Sequence, residues 1–218
     1  MAIEIVYKNI SGDIITLAEA QALNEWYDKI YYKDGEIKRI DEYIGDSSTT
    51  GSYYLDIDED LSTALEAMEN QWTSGNFYLD KQFTGKYLIR NWETYKGFEK
   101  IHKGKTIYDD KNREIALQLL DLGTSEVLRT EKTYYLERFG RFINVGDVMR
   151  FGTIDFNYNS DYHDVKIEVN VNLPGYEHKQ YYIKSNRNVL LEPLIAEVFS
   201  WENETYYHSA VPFIPKTR

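Results

Sequence analysis

The chain has 218 residues, 42% of them hydrophobic and 15% aromatic, and its formal net charge is −11 at pH 7. This length can bury a substantial core, the composition argues against disorder, and no basic stripe is available for nucleic acid or an anionic membrane surface. The absence of cysteine excludes disulfides, thiolate metal sites and a cysteine nucleophile. Because the chain has no signal-peptide pattern and no long apolar run, we expect a soluble, cytoplasmic protein.

The first 45 residues predict a strand, a helix and a hairpin, in that order. Ile3, Ile5 and Tyr7 alternate with other residues, as in a half-buried strand. The segment Thr16–Glu19 is a capping box and predicts a helix over 17–28. The dipeptide Asp34-Gly35 lies between two strand-like runs and predicts a tight hairpin turn, because both residue types tolerate positive φ.

The clearest amphipathic helix is predicted over residues 58–72. Leu61, Leu65, Met68 and Trp72 follow one another at helical spacing and form a single apolar stripe. Gly75 is predicted to end this helix.

The second half of the chain is predicted to be mainly β. Residues 113–122 fit a third helix, although a hairpin strand explains them equally well. Residues 194–201 and 205–211 are predicted to pair. We therefore expect an α+β fold with a mainly antiparallel, tyrosine-rich, twisted sheet and two or three helices, in a single domain over residues 1–218. The alternative is a mixed α/β lobe over 1–123 and a β lobe over 124–218.

Three segments share a scheme of a lysine, a tyrosine-bearing strand, a polar turn and a second strand that begins with a charged residue. They are Lys29–Ile37, Lys105–Ile115 and Lys132–Ile143. Locally they resemble the hairpins of MORN- and YD-type repeat proteins, over about 30 residues. The resemblance implies hairpins, which independent turns of similar composition explain equally well.

An acidic stretch dominates the charge pattern. Residues 40–80 hold ten aspartates and glutamates and no lysine or arginine. Such a stretch attracts a basic partner, and nearby aromatic residues supply anchors for an interface, although acidic surfaces also serve solubility alone. The partner-binding residues we expect are Asp41, Glu42, Asp46, Tyr53, Tyr54, Asp56, Asp58, Glu59, Asp60, Glu66 and Glu69.

No cofactor or metal site is predicted. Asp56, Asp58 and Asp60 have the spacing of the first half of a calcium loop, but Leu61 and Ala67 stand where such a loop needs glycine and glutamate. A charged helix start explains the aspartates better. The four histidines of the chain form no zinc-binding pattern.

One strand carries the best catalytic alternative. Asp164, Lys166 and Glu168 share one face of a predicted strand, and Asp155 precedes them on its predicted neighbour. This is the arrangement with which metal-dependent nucleases hold Mg²⁺, although it is also common on the wet face of amphipathic strands.

These observations favour a non-enzymatic, intracellular protein-binding module. The most concrete version is an immunity or inhibitor protein whose acidic, aromatic face covers a basic partner, such as a toxin. The alternatives are a structural subunit of a phage or secretion-type assembly and a Mg²⁺-dependent hydrolase that uses Asp155, Asp164, Lys166 and Glu168.

Overall fold

The computed structural model describes residues 3–23, 25–69, 71–136, 152–159, 166–173, 176–184, 200, 202–211 and 213–216. The chain divides into two compact units. Unit 1 comprises Met1–Gln82 and Arg90–Gly104, and unit 2 comprises Phe83–Ile89 and Lys105–Arg218. The number of independently folding domains stays a prediction.

The fold is rich in β-structure and mostly antiparallel, as the sequence predicts at this coarse level. Most elements of unit 1 lie in its first 78 residues: β1 (Ile3–Asn9), β2 (Ile14–Ile15), α1 (Leu17–Ala22), β3 (Trp26–Lys33), β4 (Glu36–Ile44), β5 (Ser47–Tyr54), α2 (Leu61–Met68) and β6 (Ser74–Tyr78). Three further strands span residues of both units: β7 (Gln82–Thr84), β8 (Tyr87–Lys96) and β9 (Glu99–Tyr108). The strand order in unit 1 is β2-β1-β3-β4-β5-β6-β8.

The predicted hairpin at Asp34-Gly35 is confirmed. Asp34 and Gly35 have φ angles of 54° and 82° and join β3 to β4, which pair antiparallel. Positive φ at both positions gives the turn a twist that matches the flanking strands.

Strands β5 and β6 are the exception to antiparallel pairing in unit 1, because α2 connects them as a crossover helix. Behind α2, the indole of Trp72 lies against the backbones of Gly51 and Gly75. A Cβ atom at Gly51 would overlap the Trp72 ring and approach the Ile40 carbonyl oxygen to 2.7 Å. The prediction that Gly75 ends the helix is wrong, because α2 ends at Met68 and Gly75 lies on β6. The core here consists of Ala64, Leu65, Met68, Trp72, Phe77 and Tyr95.

Both predicted helices are shorter than expected. The capping box at Thr16 and Glu19 is present, but α1 ends at Ala22 and β3 begins at Trp26, so the predicted extension to residue 28 is wrong. Helix α2 begins after Asp60, whose carboxylate accepts a hydrogen bond from the Ser62 backbone N–H at 2.7 Å. Trp72 lies beyond α2 and is nevertheless buried, with 8% of its surface exposed.

The remaining elements of unit 2 are β10 (Glu114–Leu120), β11 (Val127–Leu136), β12 (Gly152–Asn159), β13 (Lys166–Leu173), β14 (Tyr176–Lys184) and a 3-10 helix (Thr205–His208). Strands β10 to β14 pair antiparallel in chain order. Of the two alternatives for residues 113–122, the hairpin strand is the one that forms: β10 follows a turn in which Asn112 has φ 58°, and no helix is present there. Two of the three similar segments thus form hairpins, and the third extends from β11 to residues outside the described ones.

The C-terminal segment of unit 2 packs on β11 through Lys132. The Nζ atom of this buried lysine donates to the carbonyls of Tyr206 and Ser209 at 2.7 and 2.8 Å. Burial lowers the pKa of Lys132 to about 8. The strand predicted over 205–211 is wrong, because Thr205–His208 is a 3-10 helix, and residues 194–199 of its predicted partner lie outside the described ones. Among the described residues, no helix has the length and apolarity to cross a membrane.

Candidate partner-binding site

The eleven predicted partner-binding residues do not share one surface. Asp41 is fully buried: its carboxylate accepts from the Trp72 indole N–H at 2.9 Å and from the Arg39 guanidinium at 2.8 Å. A side chain without exposed surface cannot contact a partner, so Asp41 is removed from the predicted set. Its role in unit 1 is to fix Trp72 over Gly51.

Asp56 and Glu59 are held in an internal network of ion pairs. Asp56 pairs with Lys33 at 2.6 Å and with Lys38 at 3.1 Å, and Glu59 also binds Lys38. The Tyr53 hydroxyl donates to Glu59. These carboxylates are neutralised by lysines that precede the acidic stretch, on β3 and β4, so their charge contributes little to an outward field.

The pKa values of this network follow from its hydrogen bonds. The Lys33 ammonium, followed by Lys38, holds the pKa of Asp56 below its usual value. Burial would raise the pKa of Glu59, but hydrogen bonds from Lys38, Tyr53 and the Asp56 backbone together lower it. Burial, reinforced by the hydrogen bond to Glu59, raises the pKa of Tyr53. The pair therefore stays ionised and the phenol protonated at neutral pH.

Glu42 and Tyr54 project from the opposite face of the sheet. Successive side chains alternate along a strand, so they point away from Asp41 and Tyr53, which face α2. Glu42 accepts from the Thr50 hydroxyl at 2.5 Å. Tyr54 stacks on Tyr78 with ring centroids 4.5 Å apart. The sheet itself thus separates two members of the predicted set from the others.

Four carboxylates remain exposed on α2 and on the segment before it. They are Asp58, Asp60, Glu66 and Glu69. Ile57, which directly precedes Asp58 in the chain, is fully exposed, at 106% of the reference surface. We call these five residues the acidic α2 surface. Asp46 is also exposed, in the separate turn between β4 and β5.

Within the part of the chain that the structure describes, none of these four carboxylates forms an ion pair. Asp60 caps α2, whereas Glu66 and Glu69 lie at its C-terminal end, where no basic residue is present in the last turn. A negative charge at this end faces the negative pole of the helix dipole. Glu66 and Glu69 therefore destabilise α2.

No family model, no curated protein and no solved structure matches this chain.

The residues of the catalytic alternative are only partly described. Asp155 on β12 accepts from the Thr133 hydroxyl at 2.8 Å. Lys166 and Glu168 lie on the neighbouring strand β13, where Glu168 is in register with Asn157, and Asp164 lies outside the described residues. Among the described residues, no group of three or more histidine, aspartate or glutamate side chains is arranged to hold a metal ion.

Sequence patterns gave no indication of a cleft of about 770 Å³ in unit 2. Its lining comes from the start of β8, from the turn after β9 and from the C-terminal segment, which are distant in sequence. The lining includes three tyrosines and charges of both signs: Lys86, Tyr87, Asp109, Asp110, Lys111, Arg113, Glu204, Tyr206, Tyr207 and Lys216. The mixed charges favour neither an anionic nor a cationic ligand.

Proposed function

We propose that the chain is a non-enzymatic, intracellular protein-binding module that covers a basic surface of a partner protein with its acidic α2 surface. The observation that carries this proposal is that Asp58, Asp60, Glu66 and Glu69, on α2 and directly before it, are exposed and form no ion pair with the residues that the structure describes. Carboxylates needed only for folding have partners in this unit, as Asp41, Asp56 and Glu59 do.

The position of the charges on α2 supports a binding role. Glu66 and Glu69 repel the carbonyl end of the helix, which costs a few tenths of a kcal/mol each. A cationic side chain of a partner would reverse this cost on binding. Residues that reduce stability on an exposed surface are typical of functional sites.

Ile57 gives the same surface an apolar anchor. A fully exposed isoleucine between two aspartates is costly to hydrate and gains most when a partner covers it. Anchors at the centre of an interface supply much of the affinity, while the surrounding charges accelerate encounter and select the partner.

An inhibitor of a basic toxin is the most concrete form of this function. An enzyme that acts on nucleic acid needs lysines and arginines in its cleft to bind phosphate. An acidic ridge of one helix length could occupy such a cleft and exclude the substrate. The partner is thus expected to be a basic protein, and a nuclease toxin fits best.

The test uses the triple variant Asp58→Lys, Glu66→Lys and Glu69→Lys. The tagged wild-type chain captures its partner from the host of origin, and calorimetry then measures the affinity for the purified partner at rising salt. We expect the triple variant to lose on the order of 100-fold in affinity, and wild-type binding to weaken as salt rises.

The control is the triple variant Glu25→Lys, Glu99→Lys and Glu126→Lys, which makes the same change in net charge at three exposed positions outside α2. Equal losses in both triple variants would reduce the effect to overall charge and contradict the proposal. A wild-type chain that forms large particles by itself, with little salt dependence, would instead favour the assembly-subunit alternative.

A further inference from the structure

The cleft of unit 2 combines buried lining residues with an exposed, charged rim. All of its lining residues belong to unit 2. Tyr87, Ile115 and Tyr207 are buried, whereas Lys86 and Lys216 are exposed. Its volume of about 770 Å³ lies within the range of about 300 to 1,000 Å³ that is usual for pockets that bind ligands larger than a single amino acid.

Both walls of the cleft are held by contacts within unit 2. In the turn after β9, the Arg113 guanidinium donates to the Asp109 carboxylate at 2.8 and 2.6 Å. In the C-terminal segment, Lys132 donates to the Tyr206 carbonyl at 2.7 Å. The Tyr206 hydroxyl in turn donates to the Phe213 carbonyl at 2.6 Å. The cleft is therefore formed before a ligand binds, which lowers the entropic cost of binding.

One buried hydroxyl of the lining has no partner in the described part of the chain. Tyr87 is 7% exposed, and its side chain packs with Ile107 and Ile115 in a core cluster. Within the residues that the structure describes, its hydroxyl forms no hydrogen bond. The hydroxyls of Tyr206 and Tyr207, by contrast, donate to backbone carbonyls. Because buried polar groups are normally satisfied and Tyr87 lines the cleft, a ligand in the cleft is the partner that its hydroxyl lacks.

The rim offers charges of both signs to such a ligand. Asp109 and Arg113 neutralise one another. Lys86 and Glu204 also line the cleft, and neither forms an ion pair with a described residue. The Lys86 ammonium lies 5.5 Å from the centroid of the Tyr87 ring, so this cation and the unpaired hydroxyl are neighbours. A ligand of one sign would be repelled by Lys86 or by Glu204, whereas a zwitterion complements both.

We propose that this cleft binds a short zwitterionic peptide. The peptide carboxylate contacts Lys86 and the Tyr87 hydroxyl, its ammonium group contacts Glu204, and an apolar side chain between them covers Ile115. No residue of the acidic α2 surface lines the cleft. Peptide binding in unit 2 therefore does not depend on the proposed role of α2, and each is testable without the other.

The experiment uses the full chain, labelled with ¹⁵N, and the tripeptide Ala-Phe-Ala in four forms: with free ends, N-acetylated, C-amidated and capped at both ends. We expect the free-ended peptide to shift the amide signals of the turn after β9 and of the C-terminal segment, and to bind most tightly. Each capped end removes one rim ion pair and should weaken binding about threefold. Equal binding of all four forms, or no shift at the cleft, would overturn the proposal.

The variant Tyr87→Phe tests the unpaired hydroxyl. It removes no hydrogen bond between described residues, so the melting temperature should stay unchanged, while the free-ended peptide should bind about fivefold more weakly. The control is Tyr43→Phe, which makes the same change in unit 1 and should leave peptide binding unchanged. Unchanged binding in Tyr87→Phe would contradict the proposal, and so would a lower melting temperature, because the hydroxyl would then serve the fold.

Two charge variants test the orientation of the peptide. Lys86→Gln should abolish the preference for a free carboxylate and keep the preference for a free amine. Glu204→Gln should do the reverse, so each variant is the control for the other. Equal losses for all four peptide forms in either variant would show that its side chain does not recognise a charged end, and would overturn the zwitterion assignment.

Discussion

Two groups of carboxylates from the same acidic stretch have opposite environments. Asp41, Asp56 and Glu59 are bound to Trp72 or to cations of β3 and β4, whereas Glu66 and Glu69 on α2 are exposed and have no described ion pair. In sequence both groups belong to one base-free stretch. The inner carboxylates hold α2 against the sheet, and the outer ones are available to a partner.

The difference shows that a one-sign stretch of sequence does not by itself form a one-sign surface. The cations that neutralise the inner carboxylates come from Lys33, Lys38 and Arg39, which directly precede the stretch. Antiparallel pairing of β3, β4 and β5 brings them alongside it. In the acidic stretch, this pairing leaves exposed Asp46 and the carboxylates on α2 and directly before it. The following variants test the distinction between the inner and the outer carboxylates.

The largest expected effect is the loss of stability in Asp41→Asn. The side chain keeps its shape but loses its charge, which leaves the Arg39 guanidinium, 14% exposed, without its counter-ion. Breaking a buried ion pair on one side costs about 3 kcal/mol in the free energy of unfolding. Urea unfolding followed by tryptophan fluorescence measures this loss and also reports the environment of Trp72.

Glu42→Gln is the matched control for this variant. Glu42 is the next residue on β4, and its carboxylate accepts from Thr50 on the other face of the sheet. We expect a loss below about 1 kcal/mol, as for a partly exposed hydrogen bond. Equal losses in the two variants would contradict the distinction between inner and outer carboxylates.

A smaller effect is expected at Glu114 in unit 2, a half-buried carboxylate close to two other carboxylates. Burial, then the nearby charges of Glu131 and Asp155, raises its pKa to about 7 from 4.5. The folded state therefore holds the proton more tightly than the unfolded state. Stability should fall as the pH rises from 4.5 to 7, and the full cost should be present above pH 7.

Glu114→Gln removes this cost and should stabilise the chain above pH 7 by about 2 kcal/mol, allowing for its partial exposure. The difference from the wild type should vanish below pH 4.5. Chemical unfolding at a series of pH values measures it, and Glu126→Gln, at an exposed position of the same unit, is the control for the loss of one carboxylate charge. A flat difference across the series would show that folding does not raise the pKa of Glu114.

Local turn and cap chemistry made part of the fold predictable. Asp34-Gly35 and the capping box at Thr16 act within a few residues, so the hairpin and the start of α1 follow from sequence alone. The extent of the helices does not. Residues 113–122 have helical spacing, yet β10 forms there because the turn after β9 offers its backbone a neighbouring strand.

The composition of the candidate site could be predicted from the sequence, but its geometry could not. The sequence identifies α2 and its acidic residues, and Asp58, Asp60, Glu66 and Glu69 are indeed exposed. The sequence does not reveal that the Asp41 carboxylate accepts a hydrogen bond from the Trp72 indole. This contact depends on Gly51 and Gly75, which leave room for the indole on two strands. The parallel pairing of β5 and β6 that aligns them is also a long-range feature.

The smallest expected effect concerns the outer carboxylates and distinguishes a role in binding from a role in stability. Glu69→Lys exchanges a charge that opposes the dipole of α2 for one that complements it, so we expect a gain of about 0.3 kcal/mol in the free energy of unfolding. The inner variant Glu59→Gln, which loses its pairing with Lys38, should instead destabilise the chain. Paired urea titrations of both variants resolve the opposite signs. If Glu69→Lys raises the free energy of unfolding and weakens partner binding, Glu69 serves binding at the expense of stability. If Glu69→Lys lowers the free energy of unfolding, Glu69 supports the fold.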